Sequence, residues 1–73
     1  MSDRLAFVRS SLSGTKEHFT NLFAARHRAL CLAVIYHERT YSTGWVGCDP
    51  REETHYRWDK EQMRVIDYAA GNE

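Results

Sequence analysis

The sequence predicts an α+β fold for a single domain spanning residues 1–73, with a short antiparallel three-stranded sheet, two N-terminal helices and one C-terminal helix. The longest unbroken apolar run, Ala29–Tyr36, has eight residues, too few to cross a bilayer, which needs about 20. The run therefore belongs to a core. Helix-like apolar spacing precedes it, and strand-like alternation follows it. A length of 73 residues fits one domain.

The N-terminal segment predicts a first helix over residues 3–12. Ser2 is a suitable N-cap, and Leu5, Val8 and Leu12 would share one helical face. An isolated helix shorter than about 12 residues is marginal in water, so this segment needs a surface to rest on.

A second helix is predicted over residues 16–28, after an N-cap at Thr15. Its apolar stripe, with spacing i, i+3, i+4, consists of Phe19, Leu22 and Phe23. The first proline of the chain is Pro50, so nothing forces this helix to end before residue 29.

The apolar run Ala29–Tyr36 is interpreted as the central strand. Val34, Ile35 and Tyr36 favour a strand because branched and aromatic side chains fit a pleated surface. Both of its faces would be apolar, as in a strand that is covered on both sides. The rival interpretation continues the preceding helix through Tyr36, and the two remain open here.

Two further strands are predicted after this run, at residues 45–48 and 54–58. Asp49 and Pro50 form a turn between them. The second of these strands alternates in period two, with Tyr56 and Trp58 on one face, and we expect it to lie at an edge. Asp59 then caps a closing helix, which Gly71 ends.

Charge is balanced overall but unevenly distributed along the chain. The formal net charge is zero, with an excess of three positive charges in residues 1–28 and of three negative charges in residues 49–73. Duplex-binding modules usually show a clear basic excess, so this distribution favours a protein partner. The alternative is that the two halves neutralise each other within the fold.

Candidate catalytic and metal-binding residues are few. Zinc-type ligands occur at His27, Cys31, Cys48 and His55, but their spacing fits no zinc finger, and the alternative is a buried thiol and a helix-end imidazole. Phosphate-binding glycine loops and a nucleophile elbow are absent from the sequence. We therefore expect no cofactor, no metal and no enzymatic activity. A Cys31–Cys48 disulfide would require adjacent strands, and the absence of a signal-peptide pattern favours a cytoplasmic location.

A nucleic-acid interface is the main alternative to a protein partner. Tyr56, Arg57 and Trp58 interleave aromatic and basic side chains, as sheets that stack bases do. Acidic neighbours at Glu52, Glu53 and Asp59 would repel phosphate.

The Met1-Ser2-Asp3-Arg4 start, the length and the lack of catalytic residues resemble small phage-encoded regulators of host RNA polymerase, of the kind found in lytic phages of Xanthomonas. This resemblance implies a non-enzymatic regulator that contacts the N-terminal region of the β′ subunit. Such a regulator inhibits σ-dependent initiation and suppresses termination. It also implies a monomer in the bacterial cytoplasm without membrane contact.

Two surfaces are expected to bind this partner. The N-terminal one consists of Arg4, Phe7, Val8 and Arg9, and the aromatic strand face consists of Trp45, Tyr56 and Trp58. The alternative for two of these residues is that Phe7 and Val8 pack on Phe19 and Phe23. Other functions that fit are a phage inhibitor of another host protein and a small nucleic-acid-binding domain.

Overall fold

The computed structural model describes residues 4–72, and within them the chain forms five β-strands and one α-helix. In chain order these elements are β1 (Ala6–Ser10), β2 (Lys16–Phe19), α1 (Leu22–Ile35), β3 (Tyr41–Trp45), β4 (Thr54–Asp59) and β5 (Arg64–Ala69). Short 3-10 helices occupy Pro50–Glu52 and Ala70–Asn72. The strands form one antiparallel sheet in the order β2-β1-β3-β4-β5, and α1 packs on one of its faces.

The predicted first helix is wrong, because residues 6–10 form strand β1. Val8 faces α1 and Phe7 faces the other side of the sheet, which is the alternation of a strand. The serine and glycine residues that follow form a hairpin turn to β2. In this turn the Gly14 amide donates to the Ser10 carbonyl over 3.0 Å, and Gly14 has a φ of +69°. The predicted Ser2 cap and helix start at Asp3 lie outside the described residues.

The predicted second helix and central strand are also wrong, since residues 16–19 form β2 and one helix continues through Ile35. The cap is Asn21 rather than Thr15, and its side-chain oxygen accepts a 2.7 Å hydrogen bond from the Ala24 amide. The rival interpretation of the apolar run, helix continuation, is therefore the one that the structure supports. Tertiary packing outweighs the strand preference of Val34 and Ile35.

Packing explains this outcome. Alanines recur every four residues along α1, and each of them is fully buried: Ala25, Ala29 and Ala33. A face of small side chains allows the helix to approach the sheet closely. Tyr41 of β3 and Tyr56 of β4 fill the space beneath this face, and both are at most 5% exposed. If residues 29–36 were a strand, the alanine face of α1 would not be there to bury these two tyrosines.

The C-terminal third of the chain forms an antiparallel hairpin instead of a closing helix. The predicted strand at residues 54–58 is confirmed, but β4 lies between β3 and β5 rather than at an edge. Asp59 caps a turn, because its carboxylate accepts from the Glu61 amide over 3.0 Å. Met63 then adopts a φ of 56° and returns the chain into β5. The strand predicted at residues 45–48 is wrong, because β3 spans Tyr41–Trp45 and residues 46–48 lie in the connection to β4.

The fold class is thereby corrected: within residues 4–72 the chain has a five-stranded sheet and one helix, not three strands and three helices. An antiparallel sheet combined with a helix is the part of the prediction that the structure retains. On the face opposite α1, the connection between β3 and β4 covers one end of the sheet. Phe7 is only 3% exposed there, and a side chain at Gly44 would lie 3.3 Å from the Phe7 ring.

Candidate interaction surfaces

Helix α1 carries small side chains inside and large ones outside. Four residues with the spacing i, i+4, i+7, i+11 lie along its exposed side, and we call them the outer helix face: Phe23, His27, Leu30 and Val34. The Phe23 side chain is 83% exposed, and Val34 is 52% exposed. Large contiguous apolar patches on a protein surface usually mark interaction sites. The outer helix face therefore has the character of a docking surface.

The charge of α1 is entirely of one sign. Arg26 and Arg28 lie within Leu22–Ile35, and no acidic residue does. Arg28 is partly neutralised by Glu17 of β2, with 3.3 Å between Arg28 Nε and a carboxylate oxygen. Arg26 borders the outer helix face and lines the same groove as Asp67 of β5. A partner that covers this face would consequently favour carboxylates at its rim.

A groove of about 310 Å³ runs between the outer helix face and β5. It is lined by Phe23, Arg26, His27, Leu30, Tyr56 and Asp67. Burial raises the pKa of Tyr56 above its ordinary value, and the positive charge of Arg26 opposes this shift. The Tyr56 phenol is therefore neutral at physiological pH. The groove thus offers an apolar wall, one cation and one carboxylate to a partner.

The sheet face turned away from α1 carries a second, polar surface. Directly paired residues of all five strands form one transverse row, which we call the polar row: Lys16, Arg9, Ser42, His55 and Tyr68. The His55 and Tyr68 rings are tilted against each other with 5.3 Å between their centroids. Arg57 of β4 lies beside this row, with its guanidinium 5.9 Å from the Tyr68 ring. This surface combines cations with aromatic rings.

A serine–histidine pair lies in the centre of the polar row. The Ser42 Oγ and His55 Nδ1 atoms are 2.7 Å apart, a hydrogen bond that joins β3 to β4. Nucleophilic serines depend on such a neighbouring imidazole, but they must also be reachable by a substrate. Ser42 is only 7% exposed. The pair consequently acts as a cross-strand tie.

The N-terminal residues predicted to bind a partner lie in different environments. Val8 is buried beneath α1, whereas Phe7 is buried on the other side of the sheet. The alternative in which both pack on Phe19 and Phe23 does not describe the structure, because Phe23 points to solvent and only Phe19 packs against the core. Arg9 is ion-paired within the chain.

The aromatic residues predicted to bind a partner lie on the α1 side of the sheet. Tyr56 is covered by the helix. Trp58 is half-buried, and its ring stacks in parallel on His37 with 4.0 Å between the ring centroids. Trp45 is also half-buried, and the exposed Arg4 places its guanidinium 4.7 Å from the Trp45 ring. Arg4 and Trp45 are therefore the predicted pair that the structure brings together at the surface.

The four zinc-type ligands do not converge. His27 and Cys31 share the exposed side of α1, with 3.7 Å between Nε2 and Sγ. Cys48 lies in the β3–β4 connection, and His55 lies on the far face of the sheet. Among residues 4–72 no group of three or more potential metal ligands occurs. Both cysteines are free thiols, so the conditional Cys31–Cys48 bridge is not formed.

Comparison of the chain with protein-family models, with curated proteins and with solved structures finds no match. In the described part of the chain, no helix is long and apolar enough to span a membrane.

The outer helix face and Tyr68 were both missed in the sequence, for different reasons. The four-residue spacing of Ala25, Ala29 and Ala33 favours a helix through the apolar run with the large residues outside, but only the tertiary structure decides this. Tyr68 enters the polar row through its pairing with His55. No local pattern indicates that pairing, since residues 63–70 also fit a helical stripe.

Proposed function

We propose that this protein is a non-enzymatic regulator that binds another protein through the outer helix face. The observation that carries the proposal is the exposure of Phe23, Leu30 and Val34 along one line of α1. An amphipathic helix that inserts into a groove of its partner is a recurring mode of protein recognition, with anchors spaced i, i+3/i+4, i+7. Phe23, Leu30 and Val34 occupy positions i, i+7 and i+11 of that pattern, and His27 occupies position i+4.

The charge of α1 favours an acidic protein partner over a second copy of the chain. Two outer helix faces placed together would each bring up Arg26, which borders the face, with no acidic residue of α1 to compensate it. Like charges that face each other across an interface are unfavourable. The partner we propose is therefore an apolar groove rimmed by Asp and Glu side chains.

RNA polymerase is the partner to test first, because the resemblance in length and N-terminal sequence implies it. In this proposal the chain binds the N-terminal region of the β′ subunit in the bacterial cytoplasm, inhibits σ-dependent initiation and suppresses termination. A domain of this size regulates by occupying a surface or by shifting a conformational equilibrium. Micromolar to nanomolar affinity corresponds to roughly 8–12 kcal/mol of binding free energy.

The experiment is capture of partners from a bacterial lysate by the tagged chain at about 0.3 M salt, where exposed electrostatic contacts are strongly screened. Nuclease is added, and captured proteins are identified by mass spectrometry. We expect stoichiometric β and β′ subunits with σ depleted. Phe23→Ser and Leu30→Ser should each lower capture at least tenfold. Met63→Ser is the matched control, because Met63 is an exposed apolar residue on the β4–β5 turn.

Two results would contradict different parts of the proposal. If the chain captures a different protein, and Phe23→Ser abolishes that capture, the polymerase is not the partner but the outer helix face remains the docking surface. If the original chain and both serine variants capture polymerase equally, the outer helix face is not the docking surface. Arg4→Ala tests the N-terminal contact separately, since Arg4 lies at the surface against Trp45.

A second candidate function, binding of single-stranded nucleic acid, is supported by the polar row. Lys16 and Arg57 can contact phosphates, and Tyr68 presents a half-exposed ring for stacking. The test is fluorescence anisotropy of a labelled single-stranded oligonucleotide at about 0.05 M and 0.3 M salt. Lys16→Gln and Arg57→Gln should each weaken binding several-fold. Arg26→Gln, which removes the same charge from the opposite side, should leave it unchanged.

A further inference from the structure

A second cavity, of about 210 Å³, lies between the β1–β2 hairpin and the C-terminal end of α1. Its lining is dominated by hydroxyl groups and one cation: Ser10, Ser13, Thr15, Tyr36, Tyr41 and Arg39, together with Val8, Glu17 and Leu32. Cavities that bind drug-sized ligands measure roughly 300–1,000 Å³, so this cavity suits a smaller group. We call it the Arg39 cavity.

Arg39, which lines this cavity, has an unsatisfied polar atom. Its Nε atom is buried and has no hydrogen-bond partner among residues 4–72. The ion pairs of the described residues do not include Arg39, whose guanidinium carbon lies 4.5 Å from the Tyr36 ring centroid. Buried donors in native proteins are nearly always paired, and an exception calls for an explanation. Among residues 4–72 no side-chain hydrogen bond or ion pair engages the Arg39 guanidinium, so its outer nitrogens keep their donor capacity for an acceptor from outside the chain.

The hydroxyl groups around Arg39 are arranged as donors. Ser10 Oγ accepts a hydrogen bond from the Leu12 amide over 3.4 Å, and Ser13 Oγ accepts from the Thr15 amide over 3.3 Å. Each serine oxygen thereby accepts from the backbone while its own proton is available to donate. The lining of the cavity consequently includes these hydroxyl donors and one guanidinium.

The acidic lining residue does not cancel this character. Glu17 pairs with Arg28 of α1, with 3.3 Å between the carboxylate and Arg28 Nε. That pair holds the carboxylate towards the helix and lowers its repulsion of an anion. Arginine binds planar and tetrahedral oxyanions through two parallel hydrogen bonds, which neutral donors can supplement.

We infer that the Arg39 cavity is a binding site for the oxyanion of a small molecule, a phosphate or carboxylate group. Arg39 provides the charge and a donor pair, Ser10 and Ser13 provide hydroxyl donors, and the Tyr36 ring lies against the guanidinium. This site is separate from the outer helix face and from the polar row. Its failure in an experiment therefore leaves the proposed protein-binding function unaffected.

The test is titration of the ¹⁵N-labelled full chain with inorganic phosphate and, separately, with acetate, at constant ionic strength and pH. We expect saturable NMR shifts of the amides at residues 10–15 and 39, with either anion or with both. A response to phosphate alone assigns a phosphate group, and a response to acetate alone assigns a carboxylate. Arg39→Gln should weaken binding at least tenfold, whereas Arg57→Gln, which removes a cation from the far face of the sheet, should not.

Saturable shifts that persist undiminished in Arg39→Gln overturn the inference, as does the absence of saturable shifts with both anions. Folding of the variant is verified from the unchanged amide spectrum of β4 and β5. Where Arg39→Gln does not fold, Ser13→Ala serves as the second variant, because Ser13 is exposed and belongs to the hairpin turn. It should weaken binding several-fold, and equal affinity would contradict the site.

Discussion

The Arg9 guanidinium donates a 2.6 Å hydrogen bond to the carboxylate of Glu53, which is only 6% exposed. This ion pair connects β1 to the segment that leads into β4, 44 residues later in the chain. It lies on the sheet face opposite α1, beside the buried ring of Phe7. Arg9 is therefore part of the fold, and its replacement does not by itself report on partner binding.

Arg9→Ala should destabilise the fold by about 2 kcal/mol, because it leaves the buried Glu53 charge without its partner. The free energy of unfolding is measured by urea denaturation, monitored by tryptophan fluorescence. Arg57→Ala, on the same sheet face but exposed, is the control and should change stability by less than about 0.5 kcal/mol. The double variant Arg9→Met, Glu53→Leu should recover most of the loss. Equal effects of Arg9→Ala and Arg57→Ala would show that the pair contributes nothing.

Neighbouring positions of α1 should differ in how strongly a change in side-chain size destabilises the protein. Ala29→Leu should cost about 1–3 kcal/mol or more, because Ala29 is fully buried against the sheet and the larger side chain forces the helix away. Leu30→Ala, one residue further on, is expected to cost about 1 kcal/mol or less, since Leu30 is 42% exposed. Both values come from urea denaturation. If Leu30→Ala destabilised the protein more than Ala29→Leu, the side of α1 that faces the sheet would be assigned wrongly.

Met63→Gly should stabilise the protein by about 0.5–1 kcal/mol. Met63 has a φ of 56°, a conformation that glycine adopts without a steric penalty, and its side chain is 71% exposed. Glu61→Gly in the same turn is the control and should not stabilise, because Glu61 lacks a positive φ. Thermal unfolding of the three proteins provides the comparison. A lower melting temperature for Met63→Gly would refute the strained turn.

Alkaline pH should destabilise the protein through Tyr56. Burial raises its pKa above the ordinary value of 10.0, so the folded state holds this proton more tightly than the unfolded chain does. The resulting stability is fully present below pH 10 and is lost as the pH rises through the folded-state pKa. The free energy of unfolding should therefore fall more steeply above pH 10 in the original chain than in Tyr56→Phe.

Tyr36→Phe is the control for this pH dependence, since Tyr36 is exposed and Tyr56 is retained. Its stability should decline with pH as steeply as that of the original chain. Identical pH dependence of Tyr56→Phe and the original chain would mean that Tyr56 does not contribute to the loss.

Local alternation was sufficient to predict β4, because Thr54, Tyr56 and Trp58 repeat in period two over a whole strand and Tyr56 indeed faces the core. It was insufficient for residues 6–10, where Val8 fits one face of a helix or one face of a strand equally well. The deciding interaction there is pairing with β2 and β3, whose residues are distant in sequence.

The candidate surfaces were predictable to a similar, partial extent. A protein-binding role was inferred from aromatic and basic residues, of which Arg4 and Trp45 do meet at the surface. The polar row could be predicted only with the order of the strands in the sheet, because its residues come from all five strands. Predicting the outer helix face required knowing that residues 29–35 are helical, since only a helix places Leu30 and Val34 on the same side as Phe23.

From the sequence alone follow the β4 alternation and the uneven distribution of charge, whereas the predicted three strands and three helices were wrong. Whether Ala29–Tyr36 is strand or helix was decided by tertiary structure, as were the five-stranded order and the exposure of large apolar residues on α1. The physical reason lies in the core. Ala25, Ala29 and Ala33 form a usable interface only when Tyr41 and Tyr56 from distant strands fill the space beneath them.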